Sequence, residues 1–245
     1  MTANTEKSSP TRLLRGHIKD LRSTRQFQEF LFTDADRTAM GATAVVAGLA
    51  GLGGVAIGLA ASADDTAEEA ALLEFELDGK SIRAWVWLSV FKEGDEVEIV
   101  AEPFGEIWRA FGIRRVSDRI VALHPHCSRG RYAHYKATAR WWFLIYSSMM
   151  LVMVFLGLVV IPFKEIHDWF AVFYMYAVGG GMAAAVFGVI AFNISRKFMG
   201  FVRLAEGIFS GFGWKNVKNI DLPAITKKSK QPGEPGALGV LYFRY

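Results

Sequence analysis

The sequence predicts an α+β membrane protein, in which a small β-barrel or SH3- or OB-like domain is inserted between a Gly-rich apolar helix and a two-helix transmembrane hairpin. Three observations carry this expectation. The windows 141–163 and 169–195 contain no charged residue, although the chain of 245 residues is 21% charged overall. Residues 70–127 alternate apolar and acidic side chains with the period of a strand. A third charge-free window, 39–63, is built almost entirely of glycine, alanine and small aliphatic residues.

Residues 1–38 begin with a polar stretch, MTANTEKSSP, and continue with TRLLRGHIKDLRSTRQFQEFLF. In that run Leu13, Leu14, His17, Ile18 and Leu21 fall near one helical face, opposite Arg12, Arg15, Lys19 and Arg22. The expectation is an amphipathic basic helix, packed on the protein or lying on an anionic bilayer surface. The polar stretch stands where the short apolar core of a secretory signal peptide would be sought.

The window 39–63 is long enough to span, since about 20 residues at ~1.5 Å rise cross a ~30 Å hydrocarbon core. Gly48, Gly51, Gly54 and Gly58 lie on small-residue stripes that let a second helix approach closely, which makes them the expected packing or pore surface of a homo-oligomer. The adjacent Gly53 and Gly54 equally allow a re-entrant segment, and both alternatives stand.

In the β domain, Leu73, Phe75 and Leu77 alternate with Glu74, Glu76 and Asp78, and Asp78-Gly79 is a hairpin turn signal. A second turn at Glu93-Gly94-Asp95 leads into Val97, Ile99 and Ala101, and further short strands follow near 107–113 and 118–123. Four or five such strands make a small barrel or sandwich.

The hairpin 141–194 pairs two apolar runs across a short polar turn. Trp141 and Trp142 stand at one boundary and Trp169 at the other, as interfacial aromatics do. Arg129, Arg131, Lys136 and Arg140 precede the hairpin, and Arg196, Lys197 and Arg203 follow it. Its turn carries one lysine against two acids. The positive-inside bias therefore predicts a multi-pass protein of the bacterial inner membrane with the β domain and the tail in the cytoplasm. A crossing at 40–62 would put the basic N-terminal segment on the opposite side, against the same rule. Residues 195–215, with Phe198, Phe209, Phe212 and Trp214 among cations, are expected to form an interfacial amphipathic helix. Residues 216–245 read as a linker around KKSKQPGEPG and a closing strand in GVLYFRY.

Candidate chemistry is sparse. His124, His126, Cys127 and His134 are metal-ligating types at short spacing, but they match no zinc pattern and supply one thiol, so no metal is expected. Ser128 lacks a nucleophile elbow, and Gly179-Gly180-Gly181 lies within an apolar run rather than after a strand. The expectation is no enzyme, no cofactor and no nucleic-acid partner; the net charge of +4 is not gathered into a binding stripe. A single cysteine rules out an intrachain disulfide.

The segments WVWLSVFKEGDEVEIVAE (85–102) and RVSDRIVALHPHCSRGRYAH (115–134), with the apolar hairpin behind them, resemble a family of Gram-negative bacterial membrane proteins catalogued as type VI secretion system effectors. The resemblance covers about 70–205 and implies an antibacterial toxin that acts at the inner membrane of a recipient cell. Its partners would be the lipid bilayer, further copies of itself, and a secretion-system spike, chaperone or immunity protein. The alternative is a resident inner-membrane adaptor or immunity protein whose cytoplasmic β domain binds a partner.

Overall fold

The computed structural model describes residues 11–28, 68–160 and 169–245. The window 39–63 with Gly48, Gly51, Gly54 and Gly58, the first ten residues and the turn 162–168 lie outside the described residues. The described residues form two compact units, one of 11–28, 68–128, 208–214 and 222–245, the other of 129–160, 169–207 and 215–221.

The first unit is built on strands β1 (Arg12–Gln28), β2 (Glu68–Leu77), β3 (Lys80–Val86), β4 (Glu96–Phe104), β5 (Ile107–Arg115), β6 (Ile120–Leu123) and β7 (Phe243–Arg244). Their order in the sheet is β3-β2-β1-β4-β5-β6-β7, and β3 also pairs with β5 in parallel, which closes the first five into a barrel. Closure removes the open edges that a small sheet exposes. The interior is filled by the alternation read from the sequence: Leu73, Phe75 and Leu77 from β2, Ile82, Ala84 and Val86 from β3, Val97, Ile99 and Ala101 from β4 form one buried cluster. Asp78 and Gly79 both take positive φ at the β2–β3 turn, as a tight hairpin requires.

The N-terminal segment corrects the expectation of a helix. Arg12–Gln28 is a strand, paired with β4 through Arg12–His17 and with β2 through Ile18–Gln28. The reason lies in a β-bulge. Between Lys19 and Arg22 the register slips by one residue, with Asp20 at φ 52°. Leu14, Gly16 and Ile18 point inward at strand period, and the extra residue brings Leu21 inward as well. Leu14, Ile18 and Leu21 thereby reproduce the i, i+4, i+7 spacing of a helix face while belonging to a bent strand. The β domain accordingly does not begin at 70, and it is not simply placed after the glycine-rich window: its first strand precedes that window.

The outer face of β4 and β5 is covered by the end of helix α3 (Met199–Gly211) and the residues after it. A Cβ on Gly112 would stand 2.7 Å from Ile208 Cγ2 and 3.0 Å from Phe212 Cε2, and one on Gly211 would stand 2.7 Å from Val100 Cγ1. Two glycines thus allow a helix end to lie directly on the sheet. Trp214 stacks on Phe209 and Phe212, and its ring lies 3.9 Å from that of Tyr245. This corrects the reading of Trp214 as a membrane-interface residue and of 195–215 as one helix on lipid. The apolar face at Ile208, Phe209 and Phe212 is buried in protein. The chain then makes helix α4 (Leu222–Ser229) and returns to pair β7 with β6.

The second unit contains α1 (Arg131–Val160) and α2 (Trp169–Lys197), both long and apolar enough to cross a membrane.

Leu73 is fully buried in the barrel, whereas Phe27 is 73% exposed. Leu73→Ala is expected to lower stability by about 2–5 kcal/mol, and Phe27→Ala to leave it within about 0.5 kcal/mol. Denaturant unfolding followed by tryptophan fluorescence measures both.

Candidate functional site: the apolar helix pair

Apolar side chains fill most of α1 and α2 and offer the backbone few competing partners, Ser148 Oγ donating to the Ile145 carbonyl at 3.2 Å within its own helix. At ~1.5 Å per residue, the 27 residues from Arg131 to Gly157 and the 29 from Trp169 to Lys197 extend about 40 Å each. A soluble protein buries helices of this composition. Here Phe143, Ile145, Leu151, Phe155 and Val159 of α1 and Phe170, Phe173, Met182, Val186 and Val189 of α2 are exposed. A contiguous exposed apolar surface of this kind marks contact with lipid or protein.

The two helices meet antiparallel through aromatic residues seated on glycine. Tyr146 Oη donates to the Gly180 carbonyl at 2.8 Å, and Tyr176 Oη donates to the Met153 carbonyl at 3.4 Å. A Cβ on Gly157 would collide with the Tyr176 hydroxyl, and one on Gly180 would stand 3.0 Å from Met150 Cε. Trp142 stacks on Tyr146 with ring centroids 5.8 Å apart, and its indole lies against Gly188. Each helix thus carries a tyrosine that fills a glycine notch in the other. In a lipid environment a phenol hydroxyl needs a partner of this kind, because no water competes for it.

At the polar end, His134 Nε2 lies 2.9 Å from Ser195 Oγ, and Thr138 Oγ1 donates to the same oxygen at 3.4 Å. Ser195 is 3% exposed, so the trio is a clamp between helices rather than an accessible nucleophile. Below it Arg131 pairs with Glu206 and Arg129 with Asp221. Gly130 donates to the Ile220 carbonyl at 2.9 Å, and a Cβ there would collide with the Val217 carbonyl. Two of the arginines that flank the hairpin are therefore also structural.

The remaining site residues separate. His126 Nε2 lies 2.7 Å from Glu68 Oε2, with its ring edge-on to Trp87 at 5.1 Å. His124 Nδ1 lies 3.2 Å from the Pro125 carbonyl, and burial holds its pKa below the ordinary histidine value. Cys127 is buried, and burial pushes its thiol pKa far up, which disfavours the thiolate a metal would need. His134 belongs to the helical unit. Among the described residues no three His, Cys, Asp or Glu side chains are placed to hold a metal ion. Trp141 and Trp169 are exposed, each at the N-terminal end of its own apolar run, and Arg196 and Lys197 are exposed at the end of α2. Trp142, expected at the interface, is half-buried against α2.

On the barrel a polar cleft of about 560 Å³ opens beside the β1 bulge, lined by Asp20, Arg22, Glu74, Glu76, Arg83 and Ile107 among others. Sequence reasoning did not single it out, since it forms only when the bulge brings Asp20 and Arg22 beside β2.

Comparison of the chain with family models, with curated proteins and with solved structures finds no match.

Within the triple glycine only Gly180 is buried, and a Cβ on Gly179 or Gly181 meets nothing within 4 Å. Gly180→Leu is expected to destabilise the helix pair by about 1–3 kcal/mol, and Tyr146→Phe by about 0.6–2 kcal/mol. Gly179→Leu is expected to be neutral or slightly stabilising. Unfolding of the purified protein in detergent micelles ranks the three.

Proposed function

We propose that this chain is an inner-membrane protein whose α1–α2 hairpin crosses the bilayer, with the barrel and the C-terminal residues in the cytoplasm, and that it acts as an antibacterial effector that permeabilises the membrane by oligomerising. The observation that carries the membrane reading is the exposure of the apolar side chains along both helices. In aqueous solution that surface would drive aggregation; in lipid it is the favourable contact. The orientation rests on the bias of lysine and arginine around the hairpin.

Oligomerisation is supported by an exposed flank of α2. Ala177, Gly181 and Ala185, spaced four residues apart, are exposed on the flank about 100° round the helix from Tyr176 and Gly180, and small residues at that spacing admit a second helix. The effector role rests on the resemblance carried by 85–102 and 115–134. A conducting path would run between copies of the chain. Neither apolar run holds a charged residue, and intramembrane ionisable groups are what usually mark a selective ion path. The leak would therefore be poorly selective.

A second reading, a resident adaptor or immunity protein, is favoured by the cleft beside the β1 bulge. Its mixed lining of Asp20, Glu74 and Glu76 against Arg22 and Arg83 suits a polar partner segment.

Expression of the full chain in the cytoplasm, and separately in the periplasm, of a susceptible bacterium separates the two. The effector reading predicts collapse of the membrane potential, followed with a voltage-sensitive dye, and relief by Gly181→Leu. Stable, harmless expression in both compartments contradicts it and leaves the adaptor.

A further inference from the structure

The helical unit carries a charge imbalance at the end where α1 begins and α2 finishes. Its described residues include two acids, Glu206 and Asp221. Each is paired with an arginine at the base of the helices, Glu206 with Arg131 and Asp221 with Arg129. Among the described residues of this unit no further acid stands against Lys136, Arg140 and Arg196, all of which are exposed. Helix geometry places these three cations together in depth. His134 and Thr138 both reach Ser195, so Arg196 lies at the level of the turn that runs from Lys136 to Arg140. The band they occupy is ~6 Å deep at ~1.5 Å rise per residue. Lys136 and Arg140 stand two residues either side of Thr138, about 200° round α1 from its contact with α2, and Arg196 stands about 100° round α2 from Ser195. The three side chains therefore leave the helix pair outward rather than pointing into the contact.

That band matches a bilayer in depth. The ~20 residues from Trp141 to Val160 carry no charge and rise ~30 Å, the thickness of a hydrocarbon core, and the headgroup region beyond it is ~5–8 Å deep in each leaflet. Arg196 Cζ lies 5.8 Å from the centre of the Phe192 ring, which holds the guanidinium where the apolar surface of α2 gives way to the polar one. We propose that Lys136, Arg140 and Arg196 form a cationic collar that binds the phosphates of anionic phospholipids, in preference to zwitterionic ones, in the leaflet where α1 begins and α2 finishes. The inference rests on the membrane reading above and names the class of lipid that the helix pair meets. A zwitterionic headgroup brings an ammonium of its own to its phosphate, whereas an anionic headgroup brings a charge that protein cations can meet. Three exposed cations at headgroup depth, with no further acid of their unit beside them, favour the second.

The full chain is reconstituted into phosphatidylcholine vesicles that contain a trace of either phosphatidylglycerol or phosphatidylcholine spin-labelled on its acyl chain, and the motionally restricted fraction of each is read by electron paramagnetic resonance. Phosphatidylglycerol is expected to associate several-fold more strongly than phosphatidylcholine, with the ratio falling toward one as salt rises. The combined variant Lys136→Gln, Arg140→Gln and Arg196→Gln is expected to lose the preference, and Lys136→Gln alone, a change that leaves the helix contact untouched, to lose part of it. The double variant Lys227→Gln and Lys228→Gln, on the exposed surface of α4, is expected to keep it. Equal association of the two lipids overturns the proposal and leaves the collar to an acidic protein partner. A preference that survives both collar variants, or that salt does not weaken, overturns it as well. Absence of a restricted fraction for either lipid overturns the membrane reading itself, and the collar with it.

Discussion

The structure depends on one long-range pairing, the ladder between β1 and β2. Without β1 the four strands β2 to β5 cannot close, because β1 bridges β2 on one side to β4 on the other. The 17-residue strand does both only because it bends, and the bulge at Asp20 supplies the bend. The same pairing brings together two stretches of sequence separated by residues 29–67, so the barrel closes across a long connection in the sequence. Loop-closure entropy rises slowly with loop length, about 0.6 kcal/mol per doubling, so an insertion of this size is tolerable in a strand connection when the ladder is long.

The helical unit rests on a different economy. Between α1 and α2 the register is set by shape and by hydroxyl-to-carbonyl hydrogen bonds. Tyr146 on Gly180 and Tyr176 near Gly157 provide both, and they are arranged reciprocally so that sliding either helix breaks two seats together. At the polar end the work passes to His134, Ser195 and the ion pairs of Arg129 and Arg131. Large apolar side chains are left to face outward, the kind of surface that marks contact with lipid or protein.

Much of the architecture was legible. The alternation in Leu73, Phe75 and Leu77 and the turn at Asp78-Gly79 led to β2 and β3, and the charge-free runs led to α1 and α2. What was hidden follows from parity and distance. A bulge made Leu14, Ile18 and Leu21 mimic a helix face, so β1 read as a helix. The amphipathic pattern of 195–215 was real, but at Ile208, Phe209 and Phe212 its apolar face meets a sheet instead of lipid; Gly112 and Gly211, the residues that admit it, lie about a hundred positions apart in the sequence. Periodicity reports that a face is buried and is silent on what buries it. The tyrosine–glycine seats depend on rotational phase between helices, which no single segment records, and the grouping of His124, His126, Cys127 and His134 in sequence did not survive because a turn of left-handed backbone at His126 directs its ring to Glu68.

The central claim is that β1 and β2 are paired partners across the glycine-rich window. Lys19 and Glu76 are directly opposed on that ladder, whereas Lys19 and Glu74 are out of register. With cysteines at Lys19 and Glu76 of the full-length protein in membranes, the account predicts rapid intramolecular disulfide formation under mild oxidation, since opposed Cα atoms ~5 Å apart satisfy the geometry of the bond, and little from the pair at Lys19 and Glu74. Failure of the first pair to close, or equal closure of both, would contradict it.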